Sequence, residues 1–297
     1  MGQLGTRPQN VRLKGGKQME LFDNHAHYND EKFNEDRDEI INKIYESGVT
    51  KLICAGYSLE SSQRALEIAK NYSFIYTTAG ISPNDIPGHI QDEDLEGKTA
   101  EETEKLCTES MQIVDNQLEE IEKLAQNKKV VAIGEIGLDY HWNTLNKELQ
   151  KQVFIKQIEL ANKLNLPIVI HTREAVMDTL DILKNIKPTI KPGVFHCCPL
   201  NVELVKEALK LGFYISFAGP VTFKNSKNAR EISEMVPLDK MLIETDSPYL
   251  APEPVRGTRN DSRNVKFIAE KIAEFKGIDT EEVALKTYEN ANRVFEI

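Results

Sequence analysis

Residues of the types that bind divalent metal ions recur where predicted strands end. The chain has six histidines, and four of them lie at the carboxyl ends of predicted strands one, five and six: His25, His27, His171 and His196. Two acidic residues hold equivalent places, Glu135 after strand four and Asp246 after strand eight. Imidazole and carboxylate groups together suit zinc, manganese or iron. These side chains therefore predict a metal centre.

The spacing His25-Ala26-His27 predicts a shared ligand position. Side chains alternate along a strand with period two, so both imidazoles project to one side and can reach one ion. Two ions bridged by a carboxylate would make a hydroxide nucleophile available near neutral pH. Each ligand alone has an ordinary alternative, such as chance, helix capping or pairing with a lysine. Together they predict a hydrolase site, because packing would place apolar residues at these positions.

The elements that must position these residues are eight short apolar runs, rich in β-branched and aromatic residues, which predict buried parallel strands. The runs cover residues 20–24, 51–55, 74–79, 130–134, 167–170, 193–196, 212–217 and 241–245. Helical periodicity covers residues 35–47, 59–71, 146–165, 174–185, 201–211, 227–235, 262–276 and 280–292. Eight strands alternating with helices favour an α/β fold of the TIM (β/α)₈ barrel type over a doubly wound open sheet. In such a barrel the site lies at the C-terminal face of the strands.

A single barrel domain is predicted for residues 19–297, because no linker or internal repeat divides the chain. An acidic insertion is predicted at about residues 84–125. Within it, residues 91–122 hold 12 of the 47 acidic residues and 2 of the 37 basic ones, so the whole net charge of -10 lies there. We interpret this charge as a solvated helical face. Residues 1–18 are predicted to be a disordered tail or an expression remnant, with a transit peptide as the less favoured alternative.

The cysteine pattern and the hydropathy bear on the location of the protein. The four cysteines, Cys54, Cys107, Cys197 and Cys198, form no C-x-x-C pair, so a disulfide or zinc-finger framework is not expected and a cytoplasmic location is predicted. The mean hydropathy is -0.43, and no stretch approaches the roughly 18 apolar residues of a membrane span. No membrane partner is predicted.

Five stretches between Leu21 and Phe295 carry a family resemblance. They are Asp23-Asn24-His25-Ala26-His27, Gly134-Glu135-Ile136-Gly137-Leu138-Asp139-Tyr140, Ile170-His171-Thr172-Arg173-Glu174-Ala175, Phe195-His196-Cys197 and Glu244-Thr245-Asp246-Ser247-Pro248-Tyr249-Leu250. Together and in this order they resemble the TatD family of metal-dependent deoxyribonucleases. The resemblance implies a TIM barrel of the amidohydrolase-related superfamily that cleaves phosphodiester bonds.

The resemblance also implies two divalent ions per chain, zinc, manganese or magnesium. One ion would be held by His25, His27, Glu135 and Asp246, and the other by Glu135, His171 and His196. Glu135 would bridge the ions, and Asp246 would act as the general base, so these two are the predicted catalytic residues. The expected substrate is DNA, attacked at single-stranded ends by an exonuclease. No obligate protein partner is implied.

Substrate contacts are predicted at the mouth of the barrel. Arg173 lies two residues beyond His171 and could bind a phosphate, although a salt bridge is the alternative. Arg256 and Arg259, in the loop after strand eight, again resemble a family segment. Tyr140, with His141 and Trp142 after it, could stack on bases, with helix packing as the alternative.

The chain departs from the family pattern after strand three. The family usually has histidines flanking a proline there, whereas this chain reads Gly80-Ile81-Ser82-Pro83-Asn84, so a substrate-contacting histidine is absent. This leaves two other functions open. A metal-dependent amidohydrolase or lactonase acting on a small substrate would use the same ions, and a non-catalytic barrel would keep the fold for binding alone.

Overall fold

The computed structural model describes residues 19–88, 90–185 and 191–297. The tail predicted for residues 1–18 therefore lies outside the described residues. Eight parallel strands form one sheet in the order β1 to β8. Their bounds are β1 Leu21–Ala26, β2 Val49–Cys54, β3 Ile75–Ala79, β4 Val130–Asp139, β5 Ile168–Arg173, β6 Val194–Phe195, β7 Tyr214–Phe217 and β8 Met241–Ile243. Each strand pairs with the next one along the chain, which is the strand order of a (β/α)₈ barrel.

Helices connect the strands and cover the outside of the sheet. They are α1 Arg37–Glu46, α2 Leu59–Asn71, α3 Asp92–Leu95, α4 Ala100–Leu124, α5 Lys147–Leu164, α6 Val176–Asn185, α7 Val202–Lys210, α8 Ala229–Met235, α9 Val265–Lys276 and α10 Thr280–Phe295. Within the described ranges, no helix combines the length and the apolar character that crossing a membrane requires.

Two backbone hydrogen bonds bring the last strand back to the first. The amide of Asp246 donates to the carbonyl of His25 over 2.9 Å, and the amide of His27 donates to the carbonyl of Ser247 over 2.6 Å. The residues that follow β8 are thereby joined to β1, and the sheet forms a nearly closed barrel. The predicted TIM barrel is confirmed. The closure also brings three predicted metal ligands, from opposite ends of the chain, to the same point.

Strand β4 is longer than the apolar pattern indicated. The apolar pattern predicts that β4 ends at residue 134, but the strand runs to Asp139, so Glu135 lies within it. Ile133 pairs with Ile168 and Ile136 with Ile170, which leaves one extra residue in β4 between these pairs. Such a bulge changes the direction of a side chain and is common beside active sites. The apolar pattern ends before Glu135 because polar residues replace apolar ones where a strand contributes side chains to a functional site.

The acidic segment contains the helix that connects β3 to β4. Helix α4 buries Val114, Leu118 and Ile121, whose spacing of four and three residues places them on one face. Many of the exposed residues of α4 are acidic, and two of the acidic residues pair with helix α5. Lys156 lies 2.7 Å from Asp115, and Lys163 lies 2.6 Å from Glu122. Part of the acidic charge therefore stabilises the contact between neighbouring barrel helices.

A core substitution tests this packing. Phe154 of α5 is fully buried, so Phe154→Ala is expected to lower the free energy of unfolding by about 3–5 kcal/mol, through lost contacts and a cavity. Urea unfolding would measure the change. The control is Met177→Ala on α6, where the side chain is 66% exposed and the expected change is within about 0.5 kcal/mol. Equal losses in the two variants would contradict the assigned core.

Candidate metal centre

One oxygen of Glu135 faces the first group of predicted ligands. Glu135 Oε2 lies 3.4 Å from His25 Nε2 and 3.8 Å from His27 Nε2. The two imidazole nitrogens are 3.2 Å apart, and His27 Nε2 is also 3.2 Å from Asp246 Oδ1. These four atoms surround one point at the C-terminal end of the barrel.

The other oxygen of Glu135 faces a second group. Glu135 Oε1 lies 3.0 Å from His171 Nδ1 and 3.3 Å from His196 Nε2. The two imidazole nitrogens are themselves 3.3 Å apart. Glu135 thus presents a different oxygen to each of two groups, which is the arrangement of a carboxylate between two cations.

The spacing of these atoms fits metal ions. Ligands bound tetrahedrally at roughly 2.0–2.1 Å are separated from one another by about 3.4 Å, and the atoms around Glu135 are separated by 3.0 to 3.8 Å. Hydrogen bonds alone explain the groups poorly. At most one proton can lie between the facing Nε2 atoms of His25 and His27. A shared cation satisfies both lone pairs and the carboxylates at once.

The two carboxylates at the centre are held in their charged forms. Burial by itself would raise the pKa of Glu135, but the charge of His196 and the hydrogen bond from His171 hold it well below its usual range. Burial likewise opposes ionisation of Asp246, and the hydrogen bond and charge of His27 outweigh it and lower that pKa. An ionised carboxylate is the form that binds a cation.

Two further carboxylates orient the histidines of the second group. Asp139 Oδ2 lies 2.9 Å from His171 Nε2, and Glu244 Oε1 lies 3.2 Å from His196 Nδ1. Ser216 in turn donates to Glu244 over 2.5 Å. Carboxylates of this kind select the tautomer that leaves the other ring nitrogen free to bind a metal. For His171 that nitrogen is Nδ1, the atom beside Glu135.

Asp139 and Glu244 lie within the stretches that resemble the family, but the sequence by itself predicts no role for either. Asp139 lies four residues after Glu135, and Glu244 lies two residues before Asp246. An acidic residue near each predicted ligand was the only available signal. It could not show which histidine each one contacts, because the partners lie on different strands, Asp139 beside β5 and Glu244 two strands from His196.

Comparison with known proteins identifies the family. The family model described as TatD related DNase matches residues 22–296. This chain belongs to the TatD family. It is 40% identical over 277 residues to YabD of Bacillus subtilis, described as an uncharacterized metal-dependent hydrolase, covering 93% of this chain and 99% of that relative. It is also 30% identical over 282 residues to the 3′-5′ ssDNA/RNA exonuclease TatD of Shigella flexneri, covering 93% and 99% of the two chains.

A solved structure shows the same fold. The TatD homologue YJJV of Escherichia coli superposes with a TM-score of 0.79 at 24% identity, covering 93% of this TatD-family chain and 98% of that one. The predicted family and the predicted class, a metal-dependent hydrolase, are confirmed. The number and identity of the ions, the ligand set and the substrate stay predictions.

One glycine lets this TatD-family chain bring two ligands together. Gly137 has φ +141°, and a Cβ there would lie 1.9 Å from the carbonyl oxygen of His171. Any side chain would push β4 away from β5. The close approach holds Glu135 and His171, which belong to those two strands, within contact distance.

The predicted substrate contacts lie outside the ligand groups. The Tyr140 hydroxyl donates to Asp178 over 2.7 Å, so it already has a partner. Arg259 binds Asp36 over 3.0 Å and the carbonyl of Lys32 over 2.7 Å. Tyr140 therefore packs as its alternative of helix packing expects, Arg259 forms a salt bridge, and the substrate contacts of both residues stay predictions.

The other two predicted arginines lie against aromatic rings. The guanidinium of Arg256 is 4.1 Å from the ring centroid of Phe223, and that of Arg173 is 5.5 Å from the ring centroid of Trp142. Both arginines are exposed. Arg173 keeps a position on β5 two residues beyond His171, at the mouth of the barrel.

Proposed function

We propose that this TatD-family protein hydrolyses phosphodiester bonds at single-stranded ends of DNA with two divalent metal ions. The observation that carries the proposal is the carboxylate of Glu135, whose two oxygens face two separate groups of metal-type ligands. The name of the Shigella flexneri relative, a 3′-5′ ssDNA/RNA exonuclease, supports the substrate class. Zinc, manganese and magnesium are the candidate ions.

In this proposal, His25, His27 and Asp246 would hold one ion, His171 and His196 would hold the other, and Glu135 would be shared between them. Bound ions of this kind lower the pKa of water and neutralise charge that develops on a phosphate. Asp246 accepts the proton of the attacking water as general base. The side chain of His171 is 21% exposed and that of Glu135 is 11% exposed, so the second group opens toward the mouth, where a phosphate can arrive.

The remaining parts of the proposal concern substrate charge and location. Arg173 is the arginine placed to bind a phosphate, because its guanidinium is exposed beside the His171 end of β5. We also propose a cytoplasmic location. All four cysteines are free thiols, which fits a reducing compartment.

Hydrolysis of an end-labelled single-stranded oligonucleotide tests the proposal. The protein would be stripped with a chelator and assayed with added manganese, magnesium or zinc, using DNA and RNA of the same sequence. We expect stepwise shortening that depends on the added metal. A protein that contains two ions, cleaves neither nucleic acid and hydrolyses a lactone or amide would overturn the phosphodiesterase proposal in favour of an amidohydrolase.

The orienting carboxylate gives a prediction for metal binding. Asp139→Asn removes the acceptor that keeps the proton on His171 Nε2, and its amide can leave the proton on Nδ1, the nitrogen proposed to bind metal. We expect a 10–100-fold loss of affinity for one of the two ions, measured by competition with a chromogenic chelator. Asp181→Asn, at an exposed position of α6, is the control. Unchanged affinity in Asp139→Asn would show that Asp139 does not orient the ligand.

A further inference from the structure

Trp142 is the single tryptophan of the chain and is 62% exposed. Burial of a ring of this size would stabilise the fold, so its exposure needs an explanation. The exposure does not arise because the segment lacks backbone contacts. Asp139 Oδ1 accepts from the amides of His141 over 2.9 Å and Trp142 over 3.4 Å, and Gln150 donates to the Asn143 carbonyl over 3.1 Å. The backbone holds the ring outward.

A cavity of about 370 Å³ adjoins this ring. Its lining residues are Asn84, Gln91, Asp92, Glu93, Trp142 and Asn143. The volume falls within the roughly 300–1,000 Å³ of small-molecule sites. Apart from Trp142, the lining consists of amides and carboxylates, so the cavity combines one aromatic side chain with polar groups.

The cavity lies two hydrogen bonds from a proposed metal ligand. Asn84 Nδ2 donates to Asp139 Oδ2 over 3.0 Å, and the same oxygen contacts His171 Nε2 over 2.9 Å. Asn84 occupies the place where the family usually has a histidine, and here it forms a wall of the cavity. Asp139 thus joins the cavity wall to the second ligand group.

The charges around Trp142 distinguish the two parts of a nucleotide. The Arg173 guanidinium is near the ring, 5.5 Å from its centroid, but Arg173 does not line the cavity. Within the cavity, Asp92 is already bound by the amides of Thr144 and Leu145, and Glu93 adds a second carboxylate. These carboxylates repel a phosphate, whereas Arg173 attracts one. An uncharged base thus suits the cavity, and the phosphate suits the side of Arg173.

We propose that Trp142 and this cavity form a stacking subsite for the nucleobase adjacent to the hydrolysed bond. The proposal rests on the phosphodiesterase function proposed above and adds the place where the DNA strand binds. Base stacking on an aromatic ring tolerates any base, because every base has a π face. The subsite therefore selects unpaired nucleotides without selecting their sequence, since a paired base is not free to enter.

Kinetics with abasic substrates test the subsite. Stacking on one aromatic side chain contributes enough that Trp142→Ala is expected to lower kcat/KM for a single-stranded oligonucleotide by about 5- to 100-fold. Removing the terminal or the penultimate base from the substrate should lower kcat/KM of the wild type by a similar factor. For Trp142→Ala, kcat/KM should be the same with the abasic and the intact substrate. Trp142→Phe should recover part of the loss. Tyr45→Ala, which removes an aromatic ring that is 53% exposed on α1, is the matched control.

Intrinsic fluorescence separates failure of the subsite from failure of the proposed function. Because Trp142 is the single tryptophan, its emission in the metal-loaded enzyme reports on stacking directly. We expect quenching by an intact oligonucleotide and much weaker quenching by a fully abasic strand of the same length. Equal quenching by the two strands, or cleavage by Trp142→Ala at the wild-type kcat/KM, would overturn the subsite. A wild-type enzyme that binds with base-dependent quenching but cleaves no nucleic acid would overturn the phosphodiesterase proposal and leave Trp142 as a site that stacks on bases.

Discussion

Replacing Glu135 with glutamine is expected to lower kcat/KM for a single-stranded oligonucleotide by at least about 1,000-fold, which corresponds to several kcal/mol of transition-state stabilisation. Glutamine has nearly the same shape, so the barrel should be preserved. The amide nitrogen of glutamine cannot bind a cation, however. One of the two ligand groups would therefore face an N–H donor in place of a carboxylate oxygen. The group around His25 or the group around His171 would then lose its shared carboxylate.

Metal analysis should accompany the kinetics. We expect dialysed Glu135→Gln to retain fewer than the two ions proposed for the wild type, with unfolding by urea little changed in the metal-free state. Glu119→Gln, on the exposed face of α4, makes the same chemical change away from the site and should keep full activity. A Glu135→Gln protein that holds two ions and cleaves at the wild-type rate would refute the bridging role.

Asp246→Asn is expected to lower kcat by about 100- to 10,000-fold, the range typical for removal of a general base. The amide oxygen of asparagine can still face His27, whereas it cannot take a proton from water. The loss should therefore fall mainly on kcat, with a smaller change in KM and in metal content than in Glu135→Gln. Asp246 has φ +56°, a backbone conformation that asparagine also tolerates.

Single-turnover hydrolysis with saturating manganese measures this effect apart from product release. Asp239→Asn, an exposed position that precedes β8 at the opposite end of the barrel, is the control and should behave as the wild type. If Asp246→Asn lost its metal together with its activity, the result would support Asp246 as a metal ligand. It would not support a role for Asp246 as general base. Full activity in Asp246→Asn would exclude both roles.

The barrel and the candidate ligands could be predicted because they depend on local patterns. Apolar runs alternating with helical periodicity predicted eight strands, and each run in the sequence corresponds to a strand in the structure. Parallel strands place all their carboxyl ends on one face. Residues such as His171 and Asp246, which follow different strands, could therefore be assigned to one site before any distance was known.

Only the tertiary structure decided how the side chains are paired. The bulge in β4 beside Glu135, and the contact of Asp139 with His171, depend on how β4 pairs with β5, a strand about 30 residues away in the sequence. The same limit applies to the predicted substrate contacts. Tyr140 and Trp142 are two residues apart, yet Tyr140 binds Asp178 while Trp142 is held in solvent. Partners distant in sequence make that difference, so composition and periodicity could propose the chemistry but could not show which groups are free to perform it.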